Sequence, residues 1–198
     1  MRVCEIFESI QGEGKYVGAP ALFIRLSGCT RNCEWCDTKY HTKGKEVSVK
    51  TIIDKIWESG KDIVVWTGGE PMLQIKEIVN VVNKTTAIKH HLETNGDILP
   101  PPNVFDYICF SPKDFRTAKN CLTYASTLSS DNWDIKVVTD LRLNRELIPC
   151  ATMLMPLTTG DAERDRKIRQ KVWEYCVKFN VPYCPRLHVE VWGNKPGR

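Results

Sequence analysis

Three cysteines fall in one short stretch, Leu26-Ser27-Gly28-Cys29-Thr30-Arg31-Asn32-Cys33-Glu34-Trp35-Cys36-Asp37-Thr38, with the spacing C-x3-C-x2-C. Three thiolates on a loop can each hold one iron of a cubane cluster, which leaves the fourth iron without a protein ligand. A structural metal site closes its shell, whereas an open coordination position admits a cofactor or substrate. The alternative is a closed zinc site completed by His41 or a remote cysteine. Further along, Thr67-Gly68-Gly69-Glu70-Pro71 combines two glycines, which let backbone carbonyls approach a ligand, with oxygen acceptors of the kind an ammonium needs. Standing alone that segment reads as a turn.

Elements must carry these groups. Apolar runs of strand character cover Ala21 to Ser27, Ile63 to Thr67, His90 to Thr94, Tyr107 to Phe110, Trp133 to Val138 and Thr152 to Met155. Helical spacing covers Val49 to Glu58, capped by Ser48 and ended at Gly60; Ile75 to Asn83; and Ala162 to Phe179, opened by Asp161. Such alternation predicts an α/β fold with a largely parallel sheet, and the motif residues Cys29, Gly68, Asn95 and Ser111 each follow a strand. In the first strand Leu22, Ile24 and Leu26 share one face, so Arg25 points to the side of Cys29, where its planar guanidinium could bind a carboxylate or an internal acid such as Glu93. His91, Glu93 and Asn95 share a polar face. Gly96 to Asn103, with Pro100, Pro101 and Pro102, reads as a loop.

At 198 residues with 42% apolar residues the chain suits a single domain spanning 1–198. A net charge of +4 without a basic stripe gives no reason to expect nucleic-acid or membrane partners. Nine cysteines, an odd number, fit a disulfide framework poorly, and Met1-Arg2-Val3-Cys4-Glu5 opens no apolar signal core, so the expected compartment is the reducing cytoplasm. Cys4, Cys109, Cys121, Cys150, Cys176 and Cys184 are scattered and read as inert thiols.

The cysteine spacing, with Trp35 before the last ligand, resembles the signature of the radical S-adenosylmethionine (SAM) superfamily. The resemblance implies an incomplete parallel β/α barrel and a 4Fe-4S cluster on Cys29, Cys33 and Cys36. It also implies SAM chelated to the open iron and cleaved by one electron to a 5′-deoxyadenosyl radical. Trp35, Cys36 and Asp37 would lie against SAM, the Gly69-Glu70 segment would hold its amino group, and Ser111, Pro112 and Lys113 would contact it.

Within the superfamily the chain resembles the 7-carboxy-7-deazaguanine synthase family. The resemblance runs from Glu8-Ser9-Ile10-Gln11-Gly12-Glu13-Gly14 through Phe23 to Cys29, Cys36-Asp37-Thr38, Glu93-Thr94-Asn95-Gly96 and Ser111-Pro112-Lys113 to His188 and Trp192-Gly193-Asn194-Lys195. That implies ring contraction of 6-carboxy-5,6,7,8-tetrahydropterin with loss of ammonia, SAM being regenerated. By the same resemblance Ile10, Gln11, Gly12, Arg25 and Thr67 would meet substrate and Thr38 would bind Mg2+. The partners implied are an electron donor such as flavodoxin and a second copy in a homodimer. The chain departs from the family at Met155-Pro156, where a Gln often precedes the proline. Two other readings use the same cysteines: an activase that makes a glycyl radical on a partner enzyme, and a non-catalytic metal-binding or electron-transfer module.

Overall fold

A computed structural model describes residues 1–36, 38, 42–193 and 195–197. The chain opens with β1 (Arg2–Ile10), β2 (Pro20–Leu26) and the short β3 (Lys45–Glu46). Then α1 (Val49–Ser59), β4 (Ile63–Gly68), α2 (Ile75–Val82), β5 (Lys89–Thr94) and β6 (Tyr107–Phe110) follow. The remainder is α3 (Phe115–Ala125), β7 (Trp133–Thr139), β8 (Met153–Pro156), α4 (Ala162–Phe179) and α5 (Leu187–Trp192). Among the described residues one sheet takes eight strands in the order β3-β1-β2-β4-β5-β6-β7-β8. From β2 to β8 every neighbouring pair is parallel, while β1 runs antiparallel to β2 and to β3. The largely parallel sheet is the one expected from the alternation of elements, and the incomplete barrel is the one the resemblance implies.

Alternation within each strand decides what faces the helices. In β2, Leu22, Ile24 and Leu26 are buried in the core with Ile52 and Ile56 of α1 and Ile78 and Val81 of α2, which turns Phe23 and Arg25 inward. In β7, Ile135 and Val137 enter the same core, so Asp134, Lys136 and Val138 take the other face. The helix ends follow local chemistry. Ser48 accepts the Thr51 N–H at the start of α1, Gly60 ends that helix at φ 60°, and Asp161 caps α4 through the Arg164 N–H.

Two strands and two helices lie outside the sequence-based expectations. β1 has no fully buried face, so its alternation is weak, and β3 has only two residues. The buried face of α3 is Thr117, Ala118, Cys121 and Ala125, small side chains that give little apolar contrast. The last, α5, has six residues. The connection from β5 to β6 is the proline-containing loop predicted there. Among the described residues no helix is long and apolar enough to cross a membrane.

Candidate active site

The inward side chains and the strand-end loops enclose one cavity of about 280 Å³. Cys29, Cys33 and Cys36 line it together with Trp35, Thr38, Arg25, Thr67, Gly69, Ser111 and Lys113, and so do Ile10, Gln11 and Gly12. Two of the predicted residues stand outside the lining: Glu70 and Pro112. Asp37 and His41 lie outside the described residues.

The cysteine loop is held by the glycines of the segment after β4. Gly69 N–H donates to the Leu26 carbonyl at 3.1 Å, and Glu70 N–H to the Gly28 carbonyl at 2.8 Å. A Cβ on Gly69 would sit 1.8 Å from the Gly28 oxygen, and one on Gly68, which has φ 131°, 2.2 Å from the Leu26 oxygen. Only glycine permits the two backbones to meet so closely. The Glu70 carboxylate is fully buried and works from behind: it accepts from Met72 N–H, Thr94 Oγ1 and Asn95 N–H, tying the segment to the end of β5. Burial raises its pKa above the ordinary carboxylate value, and those three donors oppose the rise.

From the other side Arg31 anchors the loop. Its Nε donates to Asp97 Oδ2 at 2.7 Å, and its Nη2 to Asp97 Oδ1 and to Asp114 Oδ2. Thr30 Oγ1 adds a 2.6 Å bond to Asp97 and accepts from Asn95 Nδ2 at 2.9 Å. The Arg31 guanidinium beside it depresses the Asp97 carboxyl, and the Thr117 N–H bond, followed by Arg31, depresses Asp114.

Arg25 Nε donates to Glu5 Oε1 at 2.6 Å, its guanidinium lies 5.7 Å from the Phe7 ring centre, and its Nη1 reaches Thr38 Oγ1 at 3.4 Å. The acid it meets is Glu5 of the neighbouring strand, not the Glu93 considered from sequence. Lys113 Nζ donates to Ser111 Oγ at 2.9 Å, and Ser111 N–H to the Thr94 carbonyl at 2.7 Å. Gly12 is fixed by the tail: its carbonyl accepts the Leu187 N–H at 2.9 Å, and a Cβ there would fall 2.2 Å from His188 Nδ1.

A second, charged wall contains residues that sequence reasoning left without a role: Glu13, Glu93, Lys136, Arg186 and His188. Lys136 Nζ bridges Glu13 Oε2 at 2.6 Å and Glu93 Oε2 at 2.8 Å, and Arg186 Nε reaches Glu13 Oε1 at 3.1 Å. A signal existed for Lys136, a lone lysine in the apolar run Ile135 to Val138. None existed for Arg186. His90 and His91, to which no role was given, are buried; His90 bonds Trp66 and Thr85, and His91 packs on Tyr16 and Tyr107.

The profile of the radical SAM superfamily matches residues 23–178. The 7-carboxy-7-deazaguanine synthase of Pyrobaculum aerophilum is 32% identical, with 100% of this chain and 97% of that one aligned. That of Hyperthermus butylicus is 30% identical over 96% and 92%. This chain belongs to the 7-carboxy-7-deazaguanine synthase family of radical SAM proteins. In fold it is similar to the crystal structure of QueE from Escherichia coli, with TM-score 0.68, 24% identity and 94% of each chain covered. A match along the whole length of named synthases sets aside the activase and the passive module.

A radical SAM chain works with a 4Fe-4S cluster and SAM, and the residues present fit both. None of the nine cysteines is in a disulfide, and Cys29, Cys33 and Cys36 are only half-buried where they meet the cavity. Burial raises the Cys29 thiol above its ordinary value, against an N–H bond from Arg31, and the nearby Glu70, Cys33 and Cys36 add to the rise. Cationic iron relieves the cost of ionising thiols placed so close together. Among the described residues no three His, Cys, Asp or Glu side chains close on one point as a single ion requires. A cubane instead spreads its thiolates over three irons. The backbone cradle at Gly68 and Gly69 suits a ligand that needs close carbonyl oxygens.

Proposed function

We propose that this chain converts 6-carboxy-5,6,7,8-tetrahydropterin to 7-carboxy-7-deazaguanine with release of ammonia, and that this cavity divides the work between two walls. The observation that carries this reading is the joining, in a single cavity, of three cluster-type cysteines with Arg25 and the Glu13-Lys136-Glu93 array. Substrate less one ammonia is product, so the conversion needs no net oxidant. When bound, the cluster and SAM would supply reversible hydrogen-atom abstraction by a radical.

The chain's own groups bind and orient. Arg25, held by Glu5 and Phe7, pairs with the substrate carboxylate. Glu13 and Glu93 are acceptors for the N–H edge of the pterin, and Gln11 and the backbone at Gly12 border the ring. Ile10, half-exposed at the rim, and Thr67, aligned with Arg25 on the adjacent strand, complete the substrate contacts. Trp35, Cys36, Asp37, Gly69, Ser111 and Lys113 are the SAM contacts, with Glu70 and Pro112 shaping the segments that carry them. Thr38 supplies a hydroxyl to Mg2+, a cation that keeps few protein ligands.

Two features extend the proposal. Trp173, Val177 and Phe179 of α4 and Trp192 of α5 are exposed apolar side chains, which supports a homodimer that covers some of them. Free thiols throughout and a reducible cluster fit the cytoplasm and a small electron donor such as flavodoxin.

The test is an anaerobic assay of reconstituted protein with reductant, SAM, Mg2+ and 6-carboxy-tetrahydropterin, read by mass. The reading predicts 7-carboxy-7-deazaguanine. SAM cleavage without that product would overturn the substrate assignment.

A further inference from the structure

Lys136 is the most deeply buried charge in the cavity wall, its side chain 4% exposed. Its strand forces it there, because Ile135 and Val137 on either side enter the helix-covered core. It is the cation shared by two carboxylates delivered from distant places, Glu13 from the loop after β1 and Glu93 from β5. Arg186 and His188 also reach Glu13, His188 at 3.8 Å. Cys109 on β6 and Cys184 before α5 also face the cluster of charges; burial keeps both thiols neutral, Cys184 being pushed up to about 12. Tyr107, likewise neutral, stands near Glu93 and donates to Asp134. The carboxylates feel each other: burial, with Glu13 adding to it, raises Glu93 above its ordinary value against Lys136, whereas the burial of Glu13 is outweighed by Lys136, Arg186 and His188, which hold it low.

We infer that Lys136 is a positioning residue that holds Glu13 and Glu93 as a pair of acceptors, so that the site takes a ligand edge rich in N–H donors and rejects one that presents acceptors. The identity of that ligand as a pterin rests on the proposed function above. The physical reason is like-charge crowding. Two carboxylates in a dry site cannot both stay ionised without a cation, and one that holds a proton presents a donor where the ligand also presents a donor.

The sign of the pH effect follows. Without Lys136, Glu93, already held above its ordinary value by burial, climbs further and Glu13 loses its chief depressing partner; a folded-state pKa above the unfolded value costs nothing in acid and more as pH rises through the interval between the two. The first measurement is thermal melting of cluster-free wild type and Lys136→Met across pH. The gap between them is expected to be small near about pH 5 and to widen toward about pH 8. A gap that stays constant with pH would mean that Lys136 only fills space, and would overturn the proposal. Arg186 and His188, which also act on Glu13, are present in both proteins. Should Lys136→Met fail to fold at neutral pH, the double variant Lys136→Met with Glu13→Gln, one carboxylate fewer, is expected to fold; equal failure of the double variant would overturn the idea.

The second measurement uses pterin-6-carboxylate as the probe, followed by its fluorescence. Lys136→Met is expected to bind about tenfold more weakly than wild type near pH 6 and to recover part of that loss as pH rises, one pKa unit being worth about a factor of ten. Lys136→Arg is expected to keep the wild-type pH profile. Loss of affinity that is equal at every pH would contradict the positioning role. Absence of pterin binding by the wild type would instead count against the pterin reading, and the melting comparison would still decide for or against Lys136.

Discussion

On the cysteine wall of the cavity, the reactive side chains Cys29, Cys33, Trp35 and Cys36 come from one loop, pinned by backbone contacts to Gly68 and Gly69 and by Arg31 to Asp97 and Asp114. On the charged wall, Glu13, Glu93, Lys136 and the pair Arg186 and His188 come from four places, and ion pairs join them over sequence separations of 123 and 173 residues. A wall built from one loop depends on steric fit, and a single added methyl can disturb it. A wall assembled from distant strands depends on charge balance, and a change of pH or of one charge can disturb it. The two should therefore fail in different ways.

The largest expected effect is on the cysteine wall. Cys33→Ala removes one of the three proposed iron ligands and should reduce SAM cleavage and product together by at least about a thousandfold, roughly 4 kcal/mol in the barrier. Iron content and both products measured on one preparation check this. Retained SAM cleavage would mean that the cluster hangs elsewhere.

Next is Gly69→Ala, which places a methyl carbon where only 1.8 Å separates it from the Gly28 oxygen. The backbone must move, and a destabilisation of about 3 kcal/mol or more is expected, read by denaturant melting of the cluster-free protein. An unchanged midpoint would show that the loop is not held against this segment.

The unevenness of what could be read from sequence follows the same division. The C-x3-C-x2-C loop, the strand carrying Arg25 and helices such as Ala162–Phe179 rest on local pattern, and they stand where that pattern predicts. α3 escaped notice because Ala118, Cys121 and Ala125 bury little apolar surface. Lys136 looked like an interruption of a strand because its partners, Glu13 and Glu93, meet it only after the sheet has formed. Arg25 was seen to turn inward, yet its partner Glu5 depended on the register of β1, which the sequence does not mark.

A smaller effect is expected at Arg31. Arg31→Gln keeps the loop but loses the pairs with Asp97 and Asp114, which are partly exposed, so a cost of about 1 kcal/mol is expected at neutral pH. Both carboxylates have folded-state pKa values below their unfolded ones, so this contribution is present above the unfolded value, about pH 4, and fades as pH falls through the depressed folded values. Melting curves of wild type and Arg31→Gln should converge in acid, and a gap that grows in acid would contradict the assignment. Faster loss of iron to a chelator is expected in the variant.

The central claim is that the two walls do separate jobs in one cavity. The most direct measurement follows deoxyadenosine and 7-carboxy-7-deazaguanine side by side in wild type and in Glu93→Gln with a fully loaded cluster. The account predicts that Glu93→Gln still cleaves SAM slowly while deazaguanine formation falls about a hundredfold or more, since a buried acceptor for the substrate has become in part a donor. Equal loss of both products, or full deazaguanine formation by the variant, would contradict it.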